Sequence, residues 1–243
     1  MSMLHAAIVF VGLLVTGPKP FPTNTWDVML QQHVDLDGRV AYSRIDRLGL
    51  DSLVAALAES GPKSAPELYR TRNDRLAYFL NAYNIVVWKN VVLRLPKLTS
   101  VLEDKSFFNV AQFQLGGEVY TLQTLEADIR KQFGDPRVHM ALNCASAGCP
   151  KLPRYAFTSA SLERQLAMEA KRFCDEKRNV SYDAGTKTVK LSKIFEWYKD
   201  DFGTAPTKIL GWINDHRTEK IPVDATVVYT EYDWKLNDLS LKR

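Results

Sequence analysis

The segment "LAYFLNAYNIVVW", residues 76–88, decides the fold of this chain. Its apolar and aromatic side chains would surround a helix on every side: Leu76, Phe79, Leu80, Tyr83, Ile85, Val86, Val87 and Trp88. A helix that is apolar all round is buried rather than amphipathic. The segment therefore predicts a central buried helix over residues 75–93, around which the rest of the chain packs.

Two polar side chains, Asn81 and Asn84, interrupt this apolar segment. Three positions apart on a helix, they share one face. A buried amide without hydrogen-bond partners costs about 1–3 kcal/mol. One interpretation is that the two amides orient a catalytic group or bind substrate. The other is that they hold the backbone of a neighbouring loop.

Composition narrows the class of protein. The chain has 243 residues, is 46% hydrophobic and carries a formal charge of +4, with basic residues scattered among acidic ones. Such scatter argues against nucleic-acid binding, which needs a clustered basic face. Helices and strands alternate without a regular β–α–β order, which favours an α+β fold. We expect one domain over residues 18–243, with helices packed on a small, mostly antiparallel sheet. The arrangement found in papain or transglutaminase is one candidate for it.

Periodicity and turn residues predict the other elements. Helices are expected over residues 25–34, 45–60, 161–176, 192–200 and 207–215, and from residue 121 onwards. Strands are expected on both sides of Gly116 and Gly117, over residues 138–143, in a hairpin over residues 180–191 and at residues 226–234.

The segment "VHMALNCASAGCP", residues 138–150, holds one of four histidines and two of three cysteines. In a strand, His139 and Cys144 would face opposite sides and lie roughly 16 Å apart, which argues against a direct pair. Cys149 is the better partner for His139, because the small residues before it allow the chain to turn back. A Cys144–Cys149 disulfide is the alternative. The third cysteine, Cys174, falls on an apolar helical stripe and is expected in the core.

Asp233, near the C-terminus, is a candidate to orient His139 in a nucleophile–base–orienter set. Its alternative role is a salt bridge or cap near the end of the chain. The cysteines and histidines lack the spacings of a metal site, and no phosphate-binding or dinucleotide motif occurs, so neither a metal nor a cofactor is expected.

Four segments resemble the bacterial members of a family known as domain of unknown function 547. They are residues 76–88, quoted above, "TLQTLEADIRKQFGDPRVHMALNCASAGCPKL" (121–152), "LSKIFEWYKDDFG" (191–203) and "YTEYDWKLN" (229–237). The resemblance implies a shared fold and a shared set of residues. It implies no particular activity.

Two functions from different classes follow. The first is a cysteine-dependent hydrolase or acyl transferase that acts on a peptide, an amide or an envelope polymer. Its nucleophile would be Cys149 or Cys144, and its base would be His139. Asn81 or Asn84 would position the base or stabilise an oxyanion. The second is a non-catalytic periplasmic binding or structural module with a Cys144–Cys149 disulfide.

The N-terminus carries the apolar run "AAIVFVGLLV", residues 6–15. It is shorter than the roughly 20 residues that span a bilayer, and small residues follow it, as in a secretory signal peptide. We therefore expect residues 1–17 to be a signal peptide, the mature protein to lack a transmembrane span, and its location to be periplasmic or secreted.

Export is testable directly. Expressed in a bacterium with its own N-terminus, the protein should reach the periplasm and begin near Pro18, because the small residues before it suit a signal peptidase. N-terminal sequencing of the periplasmic fraction checks this. A soluble cytoplasmic product that retains Met1 would contradict it.

Overall fold

A buried helix, α3 (Arg72–Val92), lies at the centre of the fold. A computed structural model describes residues 17–241, and every residue from Leu76 to Trp88 is buried in it. Thr71 and Asp74 form a reciprocal capping box at the start of α3. The helix predicted from the apolar segment is confirmed, although it begins three residues earlier than expected.

Eight further helices are present in the described residues. They are α1 (Thr23–His33), α2 (Arg47–Glu59), α4 (Ser106–Asn109), α5 (Leu122–Phe133), α6 (Leu162–Asp175), α7 (Lys193–Trp197), α8 (Lys199–Phe202) and α9 (Pro206–His216). The single helix expected over residues 192–200 is interrupted at Tyr198, which separates α7 from α8.

The strands form two small sheets. β1 (Phe113–Leu115) and β2 (Glu118–Tyr120) pair as an antiparallel hairpin. β3 (Val180–Asp183), β4 (Thr188–Leu191) and β5 (Thr226–Tyr229) form the second sheet, in which β4 pairs antiparallel with β3 and parallel with β5. This mixture of packed helices and small sheets confirms the α+β class.

The strand expected at residues 138–143 is absent, and that prediction was wrong. The chain instead forms a 3-10 helix, Pro136–Met140, because Asp135 accepts a hydrogen bond from the Arg137 backbone N–H and Pro136 suits the first helical turn. No neighbouring strand pairs with this segment among the described residues.

The 3-10 helix joins two groups of buried apolar side chains. Val138 packs in a larger group around α3, whereas Met140 packs in a smaller one between α6, α9 and the three-stranded sheet. His139 lies between these two residues and is therefore held at the junction of the two apolar groups.

The signal segment expected at residues 1–17 lies, except for Gly17, outside the described residues, so that expectation stays a prediction. Within the described part of the chain, no helix is both long and apolar enough to cross a membrane.

The Asn81 amide supports the packing around α3. Its Nδ2 donates to the Phe157 carbonyl at 2.8 Å, and its Oδ1 accepts from the Phe157 N–H at 2.9 Å. These two bonds satisfy a buried backbone unit that lies between Pro153 and α6.

Asn81→Leu should therefore lower the free energy of unfolding by about 2–3 kcal/mol, because the Phe157 N–H and carbonyl lose their partner inside the protein. Urea unfolding measures the change. Asn73→Leu, in the first turn of the same helix, is the control and should have a smaller effect. Equal stability of Asn81→Leu and the unmodified protein would contradict the assigned role of this amide.

Candidate active site: a pocket lined by a disulfide

One cavity brings together three of the residues predicted from the sequence, His139, Cys144 and Cys149. Its volume is about 710 Å³, and we call it the disulfide pocket. The rest of its lining is mainly aromatic, apolar and charged, and includes Tyr83, Phe108, Glu126, Arg130, Trp197, Tyr198, Tyr232 and Trp234. A second cavity of about 490 Å³ contains none of the predicted site residues.

Cys144 and Cys149 are joined by a disulfide, with their Cα atoms 6.3 Å apart. The chain between them turns at Ala145, whose φ of 67° is unusual for a residue other than glycine. The Asn143 side chain stabilises this turn, because its Oδ1 accepts a hydrogen bond from the Ala145 N–H at 2.9 Å.

Asn84 anchors the chain just before this loop. Its Nδ2 donates to the Ala141 carbonyl at 3.0 Å, and its Oδ1 accepts from the Asn143 N–H at 3.0 Å. Asn143 in turn donates from Nδ2 to the Pro150 carbonyl at 2.7 Å, which closes the loop at its other end. Asn81 and Asn84 thus both hold backbone, as the second interpretation of these amides expected, and neither lines the disulfide pocket.

The C-terminal segment packs against the disulfide loop. The Ala147 N–H donates to the Lys235 carbonyl at 2.7 Å, and the Gly148 N–H donates to the Asp233 carbonyl at 2.8 Å. A Cβ at Gly148 would lie 2.9 Å from the Tyr232 ring, so glycine allows that ring to lie against the loop. These contacts place the Tyr232 hydroxyl beside the two sulfurs.

Three hydrogen-bond donors lie within reach of the Cys149 sulfur. The Cys144 N–H lies at 2.9 Å, the Tyr232 hydroxyl at 3.2 Å and the Ser146 hydroxyl at 3.4 Å. Ser146 Oγ lies 3.0 Å from the Tyr232 oxygen and supports this arrangement. Burial raises the pKa of Tyr232 to about 12, so the hydroxyl keeps the proton that it donates.

The two cysteines differ in exposure. Cys149 is 4% exposed, whereas Cys144 is partly exposed. The sequence suggested Cys149 as the better partner for His139, but Cys144 is the more exposed of the two residues.

His139 is paired with Asp201, and not with Asp233 as the sequence suggested. Its Nε2 lies 2.7 Å from Asp201 Oδ2, which also accepts from Arg130 Nε at 2.7 Å. Hydrogen bonding to His139, together with Arg130, holds the pKa of Asp201 well below its usual range. The Asp233 carboxylate accepts instead from the Lys235 N–H at 3.0 Å.

The imidazole of His139 is also held by aromatic contacts. Its centroid lies 4.1 Å from that of Tyr198 and 5.4 Å from that of Phe202. In the described part of the chain, no hydrogen bond joins His139 to either sulfur.

Glu126 is a second carboxylate of the disulfide pocket. Its Oε1 accepts from the Tyr198 hydroxyl at 2.5 Å, and its Oε2 lies 3.4 Å from the Tyr83 hydroxyl. Burial, followed by the charge of Glu126, raises the pKa of Tyr198.

Sequence reasoning missed several residues of the site: Glu126, Arg130, Ser146, Asp201 and Tyr232. All five lie in segments already quoted for the family resemblance, which was the available signal. Nothing local to "YKDDF" indicates that His139 lies beside Asp201, so the local sequence could not identify this pair.

The third cysteine, Cys174, is free and fully buried, and burial raises the pKa of its thiol to about 12. Its predicted place in the core is confirmed. Among the described residues, no group of three or more histidine, cysteine or acidic side chains is placed to hold a metal ion.

One known family matches part of the chain. Residues 68–174 match the family described as "Protein of unknown function, DUF547". The predicted resemblance is confirmed over this range, which is less than half of the chain. The DUF547 match includes Asn84, Glu126, His139 and both disulfide cysteines, whereas Tyr232 lies beyond it. No curated protein and no solved structure matches the chain.

The Asp201 carboxylate should contribute to stability in a pH-dependent way. Because its folded-state pKa is lowered, its contribution is present above the unfolded-state pKa of about 4 and is lost as the pH falls below it. Asp201→Asn should lower the free energy of unfolding by about 1–3 kcal/mol at neutral pH, and by less as the pH approaches roughly 2.

Urea unfolding at several pH values measures this difference. Asp200→Asn is the matched control, because Asp200 is exposed and accepts only from the Thr204 hydroxyl, at 3.3 Å. A pH-independent loss in Asp201→Asn, or an equal loss in Asp200→Asn, would contradict the role assigned to Asp201.

Proposed function

We propose that this protein carries out thiol–disulfide exchange, using the Cys144–Cys149 disulfide and a thiol that enters the disulfide pocket. The observation that carries the proposal is the difference between the two sulfurs. Both cysteines line the pocket, but Cys144 is the more exposed residue, while the sulfur of the buried Cys149 lies within hydrogen-bond reach of the Cys144 N–H and of the Tyr232 and Ser146 hydroxyls. Exchange is faster when the departing thiolate is the more stable one.

In the first step, a substrate thiolate attacks the sulfur of Cys144. A bond forms between the substrate sulfur and Cys144, the Cys144–Cys149 bond breaks, and its electron pair leaves on Cys149. The Cys144 N–H and the Tyr232 hydroxyl stabilise this thiolate by hydrogen bonding.

In the second step, another substrate thiolate attacks the substrate sulfur of the mixed disulfide. Cys144 leaves as a thiolate, and the substrate is released as a disulfide. Two electrons pass from two substrate thiolates to the protein disulfide, so the reaction needs no other oxidant. Run in reverse, the same steps reduce a substrate disulfide.

The hydrolase or acyl-transferase hypothesis needs a free thiol beside a base. Both cysteines of the pocket are joined in a disulfide, which favours exchange over acyl transfer. The expected export supports exchange too, since disulfides persist in oxidising compartments such as the periplasm. A periplasmic or secreted location is accordingly part of this proposal.

Tyr232→Phe tests the mechanism, because it removes one donor to the departing sulfur without changing the ring. The rate at which dithiothreitol reduces the native disulfide should fall about tenfold, as expected for loss of a hydrogen bond to a developing charge. Quenching by alkylation, followed by mass spectrometry, measures the rate. Tyr229→Phe, on β5, is the control and should react as the unmodified protein does.

Two further variants identify the attacked sulfur. Treated with 2-hydroxyethyl disulfide, Cys149→Ser should form a stable mixed disulfide at Cys144, because the Cys144 thiolate attacks the reagent and the other half of the reagent leaves as a thiolate. Cys144→Ser, with only the buried thiol, should form little. A disulfide that dithiothreitol reduces only after unfolding would overturn the proposal and favour the non-catalytic module. Thiol-dependent hydrolysis of an amide by the reduced protein, without exchange, would favour the hydrolase.

A further inference from the structure

The carboxylate of Glu126 has no role in the exchange steps above, yet it lines the same pocket as the disulfide. It lies on α5, and the hydroxyls of Tyr198 and Tyr83 fix its two oxygens. A carboxylate held in this way is pre-organised to bind a group that enters the pocket.

The charge of Glu126 is not matched by a paired cation. Its basic neighbour in the pocket, Arg130, is committed to Asp201, at 2.7 Å, and lies over the Tyr198 ring, 4.6 Å from the centroid. Lys105 also lines the pocket, but its side chain is exposed to solvent. No ion pair within 4.0 Å includes Glu126 among the described residues.

Aromatic rings form much of the wall around this carboxylate. Besides the two tyrosines that bind it, Trp197, Tyr232 and Trp234 line the pocket and contact one another, with ring centroids 4.6–5.5 Å apart. Aromatic faces attract cations, and the partly buried carboxylate of Glu126 adds to this attraction.

Glu126 also affects the pKa of the Tyr232 hydroxyl, which contacts the disulfide. Its charge contributes to the raised pKa of Tyr232, although burial is the larger cause. The carboxylate is therefore close enough to influence the Tyr232 hydroxyl, which lies 3.2 Å from the Cys149 sulfur.

We propose that the disulfide pocket selects thiols that carry a positively charged group, such as a protonated amine, and that Glu126 binds this group while the sulfur attacks Cys144. The inference rests on the proposed exchange reaction. The electron pair moves as described above, from the substrate sulfur through Cys144 to Cys149, and the ammonium group keeps its proton throughout.

A charge series of small thiols tests the selection on the full chain. The probes are cysteamine, 2-mercaptoethanol and 3-mercaptopropionate, which are cationic, neutral and anionic near neutral pH. Rates of reduction of the native disulfide are expressed per thiolate. Each is divided by the rate of the same thiol with 2-hydroxyethyl disulfide, so that differences in intrinsic nucleophilicity cancel.

The relative rates of reduction should decrease in the order cysteamine, 2-mercaptoethanol, 3-mercaptopropionate. Cysteamine should be faster than the neutral thiol by about fivefold, as expected for one charge pair of ~1 kcal/mol. Glu126→Gln keeps the size of the side chain but removes its charge, and should bring the three relative rates together. Glu67→Gln removes one charge from an exposed position outside the pocket, and should leave the order unchanged.

The outcomes separate the two proposals. Measurable exchange with equal relative rates, or with the anionic thiol favoured, overturns the selection of cations but leaves the exchange reaction standing. A preference that persists in Glu126→Gln also overturns the role of Glu126. Absence of exchange with all three thiols overturns the proposed function itself. The series in the unmodified protein does not depend on the folding of any variant.

Discussion

The carboxamide of Asn84 is the interaction on which the site depends. It lies in the middle of a helix that is buried on every side, and it binds the backbone at Ala141 and Asn143. A polar group in such a place is stable only when its hydrogen bonds are satisfied. The same hydrogen bonds also hold the loop, because they fix its backbone to the buried helix α3. Asn143 then fixes the two ends of the disulfide loop to each other.

The site also depends on contacts between distant parts of the chain. The disulfide loop forms backbone hydrogen bonds with residues 233–237, and this pairing brings Tyr232 to the sulfurs. His139 sits between the two apolar groups and meets Asp201 from α8. The pocket therefore joins α3, α5, the disulfide loop, the α7–α8 region and the C-terminal segment in one arrangement.

The electrostatics of the pocket follow from which groups are paired. Asp201 pairs with both His139 and Arg130, since the imidazole and the guanidinium share one of its carboxylate oxygens. The two oxygens of Glu126 lie beside the hydroxyls of Tyr198 and Tyr83 rather than beside a cation. The sulfur of Cys149 lies beside several hydrogen-bond donors. These features support the proposed exchange reaction and the proposed binding of a cation.

The sequence by itself determined the central helix, the α+β class, most helix and strand positions, the family resemblance and the importance of the segment around His139 and the two cysteines. These features are local, since they follow from apolar periodicity, turn residues and capping groups within a few positions of one another. The 3-10 helix at Pro136–Met140 was misread as a strand because its short apolar pattern fits a strand equally well.

Only the tertiary structure decided which carboxylate meets His139, which of the two disulfide cysteines is the more exposed and which tyrosine contacts the disulfide. Asp201 lies 62 positions from His139 and Tyr232 lies 83 positions from Cys149. The spacing of residues along the chain does not encode such pairs. They form because the two apolar groups must be buried and the buried amides must be hydrogen-bonded. The fold that meets both requirements brings these side chains together.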